Sequence, residues 1–166
     1  MYQKILIPVD GSPGAEKAAQ HGVELAEKIN AAVTLINVLP LTSEMKRYTD
    51  WYVSLSGKRR TKSNITPVPD AESNIDWFKE ISDHEQARIE EIFTKIQKDL
   101  AKYNVAVDTK MVTGDPAREI CQEASDGKYD LIIIGSSGLG ELKDPRMGGV
   151  SERVVRRADV SVLTVR

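Results

Sequence analysis

Three stretches of the sequence, "ILIPV" at Ile5–Val9, "VTLINV" at Val33–Val38 and "LIII" at Leu131–Ile134, are almost unbroken in apolar residues. Such runs suit strands that are covered on both faces. The strand-like segments as a set are Lys4–Val9, Val33–Leu39, Ala106–Val112, Asp130–Gly135 and Val160–Val165. Helical stripes lie between them. Ala15, Ala18, Ala19, Gly22, Val23, Ala26 and Ile29 form the first, and Ile89, Ile92, Phe93, Ile96, Leu100 and Tyr103 the second. Ala117, Ile120, Cys121 and Ala124 follow Pro116, which fits a first helical position; Val150, Val154, Val155 and Ala158 form the last stripe. Strands alternating with helices predict parallel βαβ units in a doubly wound α/β sheet, with helices on both faces.

The 166 residues are the length of one domain. The rhythm breaks only from Leu41 to Ser82, a long insertion without a clear period. It contains "GKRRTKSN" but also Tyr48, Trp51, Tyr52, Trp77 and Phe78, so at least its ends are expected to pack.

A net charge of -2 gives no electrostatic case for nucleic acid, and no apolar stretch approaches the roughly 20 residues that span a bilayer. "MYQKILIPVD" enters a strand directly and does not read as a signal peptide. The single cysteine, Cys121, excludes an internal disulfide framework and fits a reducing compartment. A cytoplasmic protein is expected, with neither nucleic acid nor membrane as partner.

Catalytic constellations are missing from the sequence. His21 and His84 sit in polar helical contexts and are expected at the surface, while Cys121 lies on an apolar stripe and is expected in the core. No metal-ligand spacing, G-x-S-x-G elbow, Walker A loop or dinucleotide fingerprint is present. Glycine-rich corners remain. "PVDGSPG" follows the first strand, and "GSSGLGELKDPRMGGVS" follows the fourth. Parallel strands put both at one edge of the sheet, with Asp10 at the carboxyl end where such sheets hold ligands. Gly135 and Gly138 would admit a ligand close to the backbone. Gly148 and Gly149 precede a helix whose first N–H groups would face the same space, and Ser151 adds a hydroxyl. Main-chain amides for an anion beside an acid for a ribose describe a nucleotide site. A capping aspartate and a plain surface loop are the bland alternatives.

Taken together, "KILIPVDGS", "VTLINV", "GDPAREI", "DLIIIGSSG" and "GGVSERVVRRADVSVLTV" resemble the universal stress protein family over nearly the whole chain. Its ATP-binding members carry Gly, two residues, Gly, nine residues, Gly, then Ser or Thr. Gly135, Gly138 and Gly148 match that spacing, and Gly149 departs from it by lacking the hydroxyl. The resemblance implies one five-stranded domain over residues 1–166, Rossmann-like and of the adenine nucleotide alpha hydrolase-like kind. It implies ATP, or ADP or AMP, as ligand, with magnesium as a companion ion. Pro8, Val9 and Val38 would flank the adenine, mainly through backbone groups, and Asp10 would hold the ribose. Ile134, Gly135 and Gly138 would line the site, with Gly148, Gly149, Val150 and Ser151 around the phosphates. A homodimer through the C-terminal edge strand is also implied. The expected function is a stress-response or regulatory module with at most slow ATP hydrolysis and no catalytic residue. The alternatives are an interaction module of this fold independent of ATP, and an ATP-pyrophosphatase-like enzyme, whose S-G-G-x-D-[ST] loop "DGSPG" does not match. A receiver domain would need an acidic cluster and a lysine after the last strand.

Overall fold

The computed structural model describes residues 2–40, 71–136 and 149–166, with residues 71–82 as main chain only. Within them the order is β1 (Lys4–Pro8), α1 (Pro13–Ile29), β2 (Ala32–Leu39), α2 (Ala71–Leu100), β3 (Val107–Thr113), α3 (Pro116–Asp126), β4 (Leu131–Gly135), α4 (Gly149–Arg157) and β5 (Ser161–Val165). The strands form one five-stranded sheet in the order β3-β2-β1-β4-β5, and every neighbouring pair is parallel. Each strand begins and ends within a residue of its sequence-based expectation.

The continuous apolar runs are explained by two cores. Ile5, Ile7, Val33, Leu35 and Ile133 face α1 and α2, while Leu6, Ile36, Ile132 and Ile134 face α3 and α4. Successive strand residues point to opposite faces, so a strand between two helical layers is covered on both and is apolar at most positions. Burying one such side chain contributes about 1.5–3 kcal/mol, which makes the three central strands the main apolar investment of the fold.

Helix α2 begins at Ala71, inside the segment whose sequence shows no period. Thirty residues of helix span about 45 Å, far beyond an eight-residue strand of about 26 Å. Among its described side chains, Ile89, Phe93, Ile96 and Leu100 are buried in the core with Ile92 packed against it, whereas Asp83, His84 and Gln86–Arg88 are exposed. Where the helix faces solvent, as at Gln86–Arg88, it needs no apolar stripe. Residues 41–70, including Trp51 and the basic run Lys58–Arg60, lie outside the described residues.

Three smaller expectations resolve as follows. Val150 and Val155 are exposed, so the stripe of α4 narrows to Val154 with Ala158 beyond its end. His21 and His84 are exposed. Cys121 packs at the margin of the second core, half-buried, and burial raises its thiol pKa.

Candidate functional site

Strand β1 leaves the sheet after Pro8, and the next residues make a tight, internally satisfied corner. The Val9 N–H donates to the Ile36 carbonyl at 2.8 Å, and the Val9 carbonyl accepts from the Asn37 side-chain amide at 2.7 Å. Both residues are buried. Asp10 is half-buried, and its Oδ1 accepts from the Ser12 N–H at 2.9 Å. Gly11 has φ +82°, where side chains are strained, and Ile92 of α2 closes against it. Ser12 then caps α1, its Oγ accepting from the Ala15 N–H at 3.2 Å, and Pro13 occupies the first turn.

At the end of β2 the main chain presents a different feature. Even-numbered residues turn their N–H and C=O groups toward β1: Ala32 donates to the Gln3 carbonyl and Ile36 accepts from Val9. Odd-numbered ones turn toward β3: Val33 donates to Ala106, and Leu39 accepts from Gly114. Val38 therefore faces the β1 side. The last β1 pairing is Pro8 opposite Ile36, and among the described residues no backbone bond joins Val38 to Val9. One donor and one acceptor of Val38 stand side by side where the ladder has ended.

The end of β4 is packed differently. Ile134 is buried, and a Cβ built on Gly135 would lie 2.7 Å from both the C and the O of Gly14. The small residue here admits the first turn of α1, a packing reason alongside the expected ligand role. The buried Ser136 donates its N–H to the Val165 carbonyl at 2.7 Å, and its carbonyl accepts from the Ser151 hydroxyl at 3.1 Å. The Ser151 hydroxyl proton, expected toward the phosphates, thus fastens α4 to the end of β4. Among the described residues, no atom beyond its chain neighbours and its own helix backbone lies within 4 Å of a Cβ built on Gly149, and Val150 beside it is exposed. Gly138 and Gly148 lie outside the described residues.

The fold therefore brings Pro8, Val9, Asp10, Val38, Ile134, Gly135, Gly149, Val150 and Ser151 to the carboxyl edge of adjacent strands. Sequence reasoning overlooked Asn37, although a lone amide in an apolar run was its signal. It also overlooked Asp115, which caps α3 by accepting from the Arg118 N–H at 3.0 Å and pairs with Arg153 of α4. Arg153, and then the Arg118 N–H, hold the Asp115 carboxyl below the ordinary aspartate range. Among the described residues no group of three or more His, Cys, Asp or Glu could hold a metal ion, and no helix is long and apolar enough to cross a membrane.

A model of the universal stress protein family matches residues 1–166. The chain belongs to this family. A universal stress protein of Methanocaldococcus jannaschii, MJ0531, is 30% identical over 166 residues, covering 100% of this chain and 83% of its own. Among solved universal stress protein structures, UspA from Lactobacillus plantarum superposes with a TM-score of 0.77 at 22% identity, over 99% of this chain and 98% of its own. A universal stress protein in complex with cAMP gives 0.63 at 20% identity, covering 99% and 97% of the two chains. The universal stress protein of Archaeoglobus fulgidus in complex with dAMP gives 0.64 at 17%, covering 99% and 98%. These structures share the universal stress protein fold with the present chain.

Proposed function

We propose that this universal stress protein is a cytoplasmic adenine-nucleotide-binding module that takes ATP, and also ADP or AMP, in a stress-response or regulatory role. The observation that carries this reading is the main chain of Val38. An N–H beside a C=O complements the N1 acceptor and the exocyclic amine of an adenine ring. The nucleotides bound by the two relatives, cAMP and dAMP, both carry that ring. Pro8 and Val9 would wall the base, and Asp10, fixed in its turn by Ser12, would accept from a ribose hydroxyl. Ile134, Gly135 and Gly138 would line the middle of the site. Gly148, Gly149, Val150 and Ser151 would surround the phosphates, where N–H groups of a first helical turn lack intrahelical partners. The open space at Gly149 fits a phosphate without displacing any described side chain. Magnesium would ride on the phosphates, since such ions keep several waters and need few protein ligands.

Binding rather than committed hydrolysis is the proposed activity, with any ATPase slow. Mass spectrometry of small molecules released on denaturation, followed by calorimetry with ATP and AMP, tests it. Saturable binding of both is expected, and no binding of either rejects the reading.

We further propose a homodimer through β5. Among the described residues the strand ends the sheet and leaves Leu163 44% exposed, so its backbone edge and apolar side chain favour a second copy. Light scattering at micromolar concentration should give twice the chain mass, and a monomer mass rejects the assembly.

A further inference from the structure

An amide buried to 5% exposure in the otherwise apolar end of β2 needs a reason, because burying a polar side chain is unfavourable unless it is bonded. Asn37 has one: its Nδ2 donates to the Val9 carbonyl at 2.7 Å. That carbonyl has an ordinary alternative partner. Val9 donates to Ile36, so the next rung of a parallel ladder would run from the Val38 N–H to the Val9 carbonyl. The rung is not made, and pairing stops at Pro8 opposite Ile36. The side chain of Asn37 donates to the same carbonyl oxygen that the Val38 amide would take in a continued ladder.

We infer that Asn37 is a positioning residue for adenine: by capturing the Val9 carbonyl it ends the β1–β2 ladder one rung early and leaves the Val38 N–H for the base. This rests on the nucleotide reading above, but it assigns to a side chain that need not touch the ligand the task of keeping its main-chain donor open. The same bond fixes the Val9–Asp10 peptide, so the base contact and the ribose carboxylate share one anchor.

Amide hydrogen exchange followed by NMR tests this on the unmodified full chain. The Val38 amide should exchange fast in the free protein, unlike the Ile36 amide within the ladder, and AMP should protect it. In Asn37→Leu, which keeps bulk but has no donor, the Val38 amide should be protected without any ligand. AMP affinity should fall about tenfold, the effect of one or two hydrogen bonds, while inorganic tripolyphosphate binding stays unchanged. A residue with a merely structural role would weaken both ligands together. Where Asn37→Leu fails to fold, the unmodified protein decides: a Val38 amide already protected without AMP overturns the proposal even if AMP binds. Failure of the unmodified protein to bind AMP overturns the nucleotide reading itself, and the adenine role with it.

Discussion

The corners after β1 and β4 lie at the same edge of the sheet and are built in opposite ways. After β1 the chain turns within a few residues, and Val9, Asp10 and Ser12 all bond to near neighbours or to β2. After β4 the described base of the corner is fixed by Gly135 against α1 and by Ser136 between Val165 and Ser151. At the start of α4, no described side chain approaches Gly149. A rigid corner suits the parts of a ligand with fixed shape, the base and the ribose. An open helix start suits a phosphate chain whose length differs between AMP and ATP. The first corner is preorganised, and the start of α4 offers room beside its first residue.

Substitutions at the two ends of the second corner test this contrast most strongly. Gly135→Val would drive side-chain atoms into the Gly14 backbone, which has no rotamer by which to yield, and should destabilise the fold by about 1–3 kcal/mol in urea titrations. Gly149→Ser should leave stability within about 0.5 kcal/mol. Equal losses at both positions would erase the distinction between fixed base and open helix start.

In the first corner, Ser12→Ala removes the cap of a 17-residue helix and should cost about 0.5–2 kcal/mol, read as a lower urea midpoint with unchanged slope. A negligible loss would mean that the corner is less rigid than its bonds imply.

Gly149→Ser also sharpens the functional side of the contrast. If the proposed phosphate position holds, a hydroxyl added at Gly149 should tighten ATP by roughly a few-fold and hardly change AMP. Calorimetry that finds equal gains for the two would place Gly149 away from the terminal phosphate.

The smallest effect concerns the tie between α3 and α4. Asp115→Asn keeps a capping side chain but loses the pairing with Arg153, an exposed ion pair whose contribution solvent screening keeps small. The folded-state pKa of Asp115 is lowered, so its contribution is present above the unfolded value and fades as pH falls from about 4 downward. The difference between the two proteins should therefore be present at pH 7 and vanish in strong acid. A constant difference across that range would assign the effect to the cap instead.

The sheet was legible because burial on two faces leaves a signature that needs no partner to interpret, as at Ile5–Ile7 and Leu131–Ile134. The stretch of α2 just before Ile89 was not, since exposed residues such as Gln86–Arg88 obey no period. In the candidate site, Asp10 and the Gly135 spacing could be read, yet the close approach of Gly14 could not, because it depends on which helix crosses which strand. Val38 could be named from family resemblance, but its unpaired rung arises from an Asn37–Val9 bond across two strands that no local pattern encodes.

Titration of AMP into the isotope-labelled protein, followed residue by residue by NMR, tests the central claim most directly. The account predicts saturable shifts at Val9, Asp10 and Val38, with smaller ones at Gly149–Ser151 that grow when ATP replaces AMP. Shifts confined to the groove between α1 and α2, around Lys17, Ile96 and Lys102, or no saturable shift at all, would contradict it.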